Sequence, residues 1–213
     1  NQVIQIRYSE QMGEEDLNFD TSLVGSVGHQ IENHLISEGV GAPDKAIQTD
    51  RIICKQGINQ FTNKFTYHSF RYAKIEGITM EDILDIHGIY VHTDLNKIST
   101  IEIDNEFYNE LYTTGIRTKL NNVHSIFEDC PRERLGYGGD IVALATSNLL
   151  IFDIEEFLKK TILDFRLDQT INGGIPETAP YMGIQSKGTG EGEGPLLWQL
   201  CYPYSIYKHY QYY

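Results

Sequence analysis

Alternating apolar and polar residues in the first hundred positions predict β-strands. Val3–Tyr8 alternates apolar side chains with Gln5 and Arg7, which is the two-residue period of a half-buried strand. Residues 13–49 show no period, and their Gly, Asn, Asp and Ser residues predict loops with some short strands. A strand-like pattern returns in four later stretches: Asp50–Lys55, Phe61–Glu76 with a bulge near His68–Ser69, Ile86–Thr93 and Thr100–Ile103.

The spacing becomes helical near Asp104, which is placed to cap a first helix that extends to about Val123. Ile141–Phe152 is almost continuously apolar and predicts a helix covered on most sides. Two further helices are predicted: one from an Asp153/Glu156 capping box to Asn172–Gly174, and an aromatic-rich one from Leu196 to Tyr213, kinked at Pro203.

Strands followed by helices predict an α+β, multidomain chain. We expect an antiparallel β-sandwich domain over residues 1–103 and a helical domain over residues 104–213.

Composition excludes several classes of function. The 213 residues carry a net charge of −13, so no basic surface is available to neutralise nucleic-acid phosphates or an anionic membrane. No stretch approaches the apolar length of a membrane helix. The three cysteines, Cys54, Cys130 and Cys201, lack metal-ligand spacing and are expected to be buried free thiols. The seven histidines are also scattered, so we expect no metal and no cofactor, whereas a neutral sugar is compatible with an acidic protein.

The segment Asp129–Asp140, which reads DCPRERLGYGGD, concentrates acids, arginines, glycines and a tyrosine. Its glycines permit positive φ and a tight turn, and acids beside Arg134 suit a polyhydroxy ligand and proton transfer to it. The segment also has a structural interpretation, in which Asp140 caps the following helix and Glu133 and Arg134 form a solvated pair.

The stretch Phe65–Tyr72, FTYHSFRY, has two interpretations. Its rings could stack on a sugar, or they could fill a sandwich core while Arg71 extends to the surface. We favour the core, because alternating aromatic residues are common in strands.

Four motifs in order resemble the bacterial α-L-rhamnosidases of glycoside hydrolase family 78, from about residue 50 onward. They are FTYHSFRY at Phe65–Tyr72, DCPRERLGYGGD at Asp129–Asp140, GGIPETAPYMGI at Gly173–Ile184 and GEGPLLWQLCYPY at Gly192–Tyr204. The resemblance implies that the helices begin an (α/α)6 barrel and that the substrate is a rhamnose-containing carbohydrate or glycoside, hydrolysed with inversion.

The resemblance also implies roles for individual residues. Glu133 matches the general acid, Asp129 and Asp140 match residues that bind sugar hydroxyls, and Tyr137 matches the aromatic residue against the sugar. Arg134 and Trp198 are further candidates for substrate binding, although Trp198 could equally be a core residue. The general base of the family is a glutamate expected beyond Tyr213, so none is assigned here.

One spacing departs from the family pattern. The number of residues from Glu133 to Asp140 is the same as in the family, but the number between Asp129 and Glu133 is smaller by one or two. A deletion at Arg132, or a residue missing from the sequence beside it, would produce this difference. The chain starts without Met and within a predicted strand, and we interpret it as part of a larger protein. Residues 1–213 expressed alone are expected to aggregate or dimerise without activity, because apolar helix faces would remain uncovered.

Two other functions fit the sequence. The first hundred residues could form a carbohydrate-binding module without catalysis, and the helical part could belong to another α/α-barrel glycosidase or a lyase. Glu133 distinguishes binding from hydrolysis, because a binding module needs no proton donor there.

Overall fold

The computed structural model describes residues 2–13, 17–18, 28–31, 34–37, 48–129, 134–183 and 189–213. All but one of the strands that it describes precede the main helices along the chain. The strands are β1 (Val3–Ser9), β2 (Gln11–Met12), β3 (Leu17–Asn18), β4 (Gly28–Ile31), β5 (His34–Ser37), β6 (Thr49–Ile53), β7 (Tyr72–Glu76), β8 (Asn96–Lys97) and β9 (Phe152–Asp153). The helices are α1 (Glu106–Leu120), α2 (Gly138–Ile151), α3 (Glu155–Leu167), α4 (Leu196–Gln199) and α5 (Cys201–Tyr212), with a 3-10 turn at Met80–Asp82.

Strand β1 lies at the centre of a three-stranded antiparallel sheet in the order β6-β1-β7. Val3 is opposite Ile53 on one side, and Ser9 is opposite Tyr72 on the other. Two short antiparallel pairs follow, β2–β3 and β4–β5. Strands β3, β4 and β5 lie within residues 13–49, where short strands were expected. Antiparallel strands followed by helices confirm the predicted α+β class.

Several predicted strands are wrong in extent. Only Tyr72–Glu76 of the predicted Phe61–Glu76 strand joins the sheet, and Ile86–Thr93 and Thr100–Ile103 are irregular. The strand of this region is instead β8, which pairs with β9 after α2. Side-chain hydrogen bonds anchor the irregular backbone before β7: Asn63 Nδ2 donates to Asp50 Oδ2 at 3.0 Å, and the Ser69 amide donates to Gln48 Oε1 at 3.2 Å. Alternating aromatic residues therefore do not by themselves identify a strand.

The core belongs to the helical half of the chain. It comprises Val123, Phe127, Ile141, Leu149, Phe152, Ile154, Leu158, Phe165, Ile175, Ala179 and Cys201. Cys201 is buried and free, as expected; Cys54 is free but partly exposed, and Cys130 lies outside the described residues. Burial raises the pKa of the Cys201 thiol to about 12, so this thiol remains protonated and unreactive at neutral pH.

Helix boundaries differ from the predictions for local reasons. The cap of α1 is Asn105, not Asp104, and its side chain accepts from the Tyr108 amide at 3.4 Å. Helix α2 starts at Gly138 and buries one stripe, so it is not covered on most sides; Leu144 and Leu150 face outward.

Helix α3 is capped by Ile154 rather than Asp153, and it ends at Leu167, before Asn172–Gly174. The break between α4 and α5 is at Leu200 rather than Pro203. Proline lacks an N–H group and is tolerated in the first turn of a helix, which is where Pro203 lies in α5.

A polar cluster joins the sheet to the stretch before β7. Asp50 accepts from the Tyr8 hydroxyl at 2.8 Å and lies 3.2 Å from His68 Nε2, while the Tyr8 and His68 rings stack with centroids 4.3 Å apart. Burial alone would raise the pKa of Asp50, but hydrogen bonds from Asn63, Tyr8 and His68 outweigh it and lower the pKa.

We expect Asp50→Asn to destabilise the protein at neutral pH more than in acid. A carboxylate whose pKa is lower in the folded state stabilises it above the unfolded-state pKa, and this contribution is lost as pH falls through the folded-state pKa. Melting temperatures of both proteins from about pH 7 to pH 3 should therefore converge as pH falls. Asp85→Asn is the control, since its pairing with His87 is exposed; a constant difference for Asp50→Asn would contradict the expectation.

Candidate functional site

The entry to the Asp129–Asp140 segment is fixed to the end of α1. The Glu128 amide donates to the Asn122 carbonyl at 2.8 Å, and Asn122 Nδ2 donates to the Asp129 carbonyl at 2.6 Å. A bridge between Val123 and Phe127 closes a tight turn in which Ser125 has a φ of 75°. Asp129 is thus presented from an anchored backbone, and its side chain is partly buried.

Asp129 and Leu135 pair with each other on either side of residues 130–133, and we call the segment between them the Asp129–Leu135 loop. The Asp129 amide donates to the Leu135 carbonyl at 3.0 Å, and the Leu135 amide donates to Asp129 Oδ1 at 3.1 Å. One oxygen of the predicted sugar-binding carboxylate therefore holds the loop together. Glu133, the predicted acid, lies with residues 130–132 outside the described residues.

The exit of the segment is fastened to the stretch around Thr178. Tyr137 forms a bridge with Thr178, the Gly138 amide donates to the Glu177 carbonyl at 3.0 Å, and the Ala179 amide donates to the Gly136 carbonyl at 3.1 Å. Tyr137 is only 7% exposed. Backbone hydrogen bonds therefore hold the end of the motif Asp129–Asp140 against the motif Gly173–Ile184.

The three glycines of the segment allow close packing rather than positive φ. None of Gly136, Gly138 and Gly139 is among the described glycines with positive φ, so the expectation of left-handed geometry is wrong. A Cβ atom at Gly136 would collide with the Ala179 carbonyl, and one at Gly138 would collide with the Trp198 carbonyl. Other residues at these positions would push the supporting segments away.

Trp198 packs on the first turn of α2. A Cβ atom at Gly139 would lie 2.6 Å from its indole ring, and the side chain remains partly exposed. Asp140 follows in the same turn and is partly buried. Because Tyr137 caps α2, Asp140 is not the cap, although a carboxylate in the first turn of a helix is electrostatically favourable.

A buried carboxylate that we did not single out from the sequence lies beside Asp129. Glu128 is 5% exposed, and its Oε2 accepts from the Tyr67 hydroxyl at 2.7 Å and lies 2.9 Å from His124 Nδ1. The Arg134 guanidinium carbon lies 4.2 Å from the Tyr67 ring centroid. The sequence offered one indication of this residue, its position directly before Asp129. Its contacts with Tyr67 and His124 could not be predicted from the spacing of residues along the chain.

The structure revises our interpretation of FTYHSFRY. Phe65 is 101% exposed and Phe70 is 46% exposed, so these aromatic residues do not fill a sandwich core. Tyr67 and His68 instead enter two polar clusters, one at Glu128 and one at Asp50. Arg71 lies over the Tyr72 ring at 5.6 Å.

Other features of the described residues do not coincide with this site. A surface groove of about 950 Å³ runs along the first turns of α1, and none of the predicted site residues lines it. Within the described part of the chain, no group of three or more His, Cys, Asp and Glu side chains could hold a metal ion. The helices described here are too short or too polar to cross a membrane.

Two family models match successive parts of the chain. The model described as the bacterial alpha-L-rhamnosidase concanavalin-like domain matches residues 1–92. The model described as the bacterial alpha-L-rhamnosidase 6 hairpin glycosidase domain matches residues 96–213 and contains all six predicted site residues.

Individual relatives agree with these matches. An alpha-L-rhamnosidase from Formosa agariphila is 34% identical over 185 residues, which are 83% of this chain and 19% of the relative. One from Streptomyces avermitilis is 28% identical over 170 residues, covering 78% of this chain and 16% of the relative. The chain therefore spans about a fifth of the length of these relatives.

Solved structures have the same fold. The alpha-L-rhamnosidase from Dictyoglumus thermophilum has a TM-score of 0.74 and 28% identity, over 99% of this chain and 23% of that one. The Streptomyces avermitilis enzyme complexed with L-rhamnose has a TM-score of 0.71 and 23% identity, over 97% and 18%. These enzymes combine sandwich domains with an (α/α)6 barrel, in agreement with the predicted fold. Since the hairpin-glycosidase model alone covers more than half of the residues, the chain belongs to the bacterial α-L-rhamnosidase family.

Proposed function

We propose that the complete protein hydrolyses terminal α-L-rhamnose from glycosides or polysaccharides with inversion. The observation that carries this proposal is the anchored Asp129–Leu135 loop, which lies within the part of the chain that matches the glycosidase domain. The relative from Streptomyces avermitilis, solved with L-rhamnose, supports the choice of sugar. We also propose that residues 1–103 form the sandwich domain and residues 104–213 the start of the barrel.

The proposed roles follow from the chemistry of inversion. Glu133 would protonate the departing oxygen, while a carboxylate from a later part of the complete enzyme would activate water on the opposite face of the sugar. Two such carboxyl groups must lie roughly 6.5–9.5 Å apart to admit that water. Neighbouring negative charge from Asp129 and Asp140 would help Glu133 to keep its proton.

The remaining candidate residues would bind and orient the sugar. One oxygen of Asp129 is engaged with Leu135, and its other oxygen would accept from a sugar hydroxyl. The partly exposed Trp198 would offer aromatic surface near the first turn of α2, where Asp140 is also located. Tyr137 would contact the sugar through the small part of its side chain that is exposed. Arg134 would donate hydrogen bonds to the sugar, and its guanidinium also lies over the Tyr67 ring.

We expect the full-length protein to cleave nitrophenyl α-L-rhamnoside in preference to the nitrophenyl glycosides of L-fucose, D-mannose and D-glucose. Proton NMR during the first turnovers should show β-L-rhamnose before mutarotation, because inversion exchanges the anomeric configuration. Binding of rhamnose without turnover would instead identify a carbohydrate-binding protein, and an initial α-anomer would contradict inversion. Preferential cleavage of another sugar would indicate a glycosidase of different specificity.

A further inference from the structure

Tyr67 contacts residues on both sides of the loop that contains Glu133. Its hydroxyl donates to Glu128 Oε2 at 2.7 Å from a position 61 residues earlier in the chain. Arg134, the first described residue after the loop, places its guanidinium carbon 4.2 Å from the centre of the same ring. One side chain thus joins the entry and the exit of residues 130–133.

The Tyr67 ring is enclosed from two sides. The His124 ring stacks on it with centroids 4.2 Å apart and an interplanar angle of 20°. Because an imidazole and a guanidinium cannot both occupy the same face at 4.2 Å, His124 and Arg134 lie on opposite faces. A cation on an aromatic face is attracted by the electrons of the ring, and more strongly where water is excluded.

His124 is held at both ring nitrogens. His124 Nε2 lies 2.8 Å from the Val91 carbonyl, and since a carbonyl only accepts, Nε2 is the donor of this pair. His124 Nδ1 lies 2.9 Å from Glu128 Oε2, the same oxygen that accepts from the Tyr67 hydroxyl. The ring that stacks on Tyr67 is therefore also held at Glu128.

Tyr67 is the constant donor in the cluster. Burial and then its hydrogen bond to Glu128 raise the pKa of the Tyr67 hydroxyl above its ordinary value. The hydroxyl therefore remains protonated at neutral pH and continues to donate to Glu128.

Arg134 has a backbone that needs support. Its φ is 59°, a left-handed conformation that is unfavourable for a residue with a Cβ atom. The side chain of this strained residue lies on the Tyr67 ring, directly before Leu135, which pairs with Asp129.

We propose that Tyr67 is a positioning residue for the proposed rhamnosidase reaction: through Glu128 and Arg134 it holds both ends of the loop that carries Glu133. That Tyr67 holds the loop rests on its contacts with Glu128 and Arg134. That its loss lowers the rate of catalysis rests on the proposed function. It makes FTYHSFRY, in the N-terminal part of the chain, a component that the hydrolytic site requires.

Kinetics of the full-length enzyme test the catalytic consequence. Displacement of a catalytic group by about 1 Å can reduce the rate about 10²-fold. We expect Tyr67→Phe, which loses only the hydroxyl, to lower kcat about 10-fold, and Tyr67→Leu, which also loses the face for Arg134, about 100-fold. KM should change by less than about twofold in Tyr67→Phe, which keeps the aromatic face for Arg134. It should rise in Tyr67→Leu, because Arg134 is a proposed substrate-binding residue.

A double-mutant cycle tests whether Tyr67 affects kcat through its hydrogen bond to Glu128. Glu128→Gln keeps the side-chain shape but replaces the carboxylate with a neutral amide, which is a weaker acceptor for the Tyr67 hydroxyl, and it should lower kcat. The double variant Tyr67→Phe/Glu128→Gln should then be no slower than the more impaired single variant, since both changes act on the same interaction. Losses that multiply in the double variant would overturn the assignment.

Hydrogen exchange distinguishes failure of this inference from failure of the proposed function. Amide exchange in residues 128–135 should accelerate in both Tyr67 variants. Tyr8→Phe is the matched control, because it removes a tyrosine–carboxylate hydrogen bond of 2.8 Å at Asp50; it should lower the melting temperature without changing kcat or exchange at the loop. Unchanged exchange in the Tyr67 variants, or an equal change in Tyr8→Phe, would overturn the inference. Accelerated exchange in a protein inactive on rhamnosides would support the loop contacts and refute the proposed function.

Discussion

Glu133→Gln in the full-length protein is expected to reduce kcat on an alkyl or sugar α-L-rhamnoside about 10²–10⁴-fold, the usual contribution of a general acid. The amide has nearly the shape of the acid but cannot donate a proton to the departing oxygen in the same way. Nitrophenolate leaves with little protonation, so the loss on nitrophenyl α-L-rhamnoside should be distinctly smaller.

The ratio of the two losses is the decisive measurement. Equal losses on both substrates would show that Glu133 binds the sugar rather than protonating the leaving group. Glu193→Gln is a suitable control, because Glu193 is a second glutamate in a glycine-rich loop and its carboxylate is engaged with Thr189 and Thr170. That variant should retain turnover on both substrates.

Local chemistry made the helices more predictable than the strands. The apolar run of Ile141–Phe152 corresponds closely to α2. The hydrogen bonds of a helix join residues four apart, so the local sequence pattern is enough to predict it. The strands of Phe61–Glu76 and Ile86–Thr93 were overpredicted, because a strand needs a partner that may be distant in sequence. Lys97, for example, pairs with Phe152, across the whole of α1 and α2.

The candidate site, too, was predictable where it depends on neighbouring residues and not where it depends on contacts between distant segments. The motif DCPRERLGYGGD indicated where the site residues lie along the chain, and its glycines indicated a special backbone. It did not indicate that Gly138 and Gly139 are needed beneath Trp198, some sixty residues later. Nor could it place Tyr67 beside Glu128, because that contact depends on how two regions of the chain fold together.

These contacts give the supporting motifs specific tasks. Tyr67 of FTYHSFRY is bonded to the entry of the loop, Glu177 and Thr178 of GGIPETAPYMGI fix its exit, and Trp198 covers the first turn of α2. The four motifs that suggested the family are therefore mutually connected around one loop.

Gly138→Ala is expected to cause a large loss of stability together with loss of activity. The new methyl group would collide with the Trp198 carbonyl and lie 2.8 Å from the buried Cys201 sulfur. The backbone carbonyl of Trp198 belongs to a helix and cannot turn away, so α2 and α4 must separate. Overpacking of this kind typically costs about 1–3 kcal/mol, which should appear as a lower denaturant midpoint of unfolding.

Gly115→Ala provides the matched control for this change. Gly115 lies within α1, and no atom lies within 4 Å of the position where its Cβ would be. Alanine is more favourable than glycine inside a helix by about 0.5–1 kcal/mol, so this variant should be slightly more stable and fully active. The same substitution in two helices should thus have opposite effects. A Gly138→Ala protein as stable and active as Gly115→Ala would show that the contact between α2 and Trp198 does not support the site, because the same added methyl group would then be harmless at the point of closest approach.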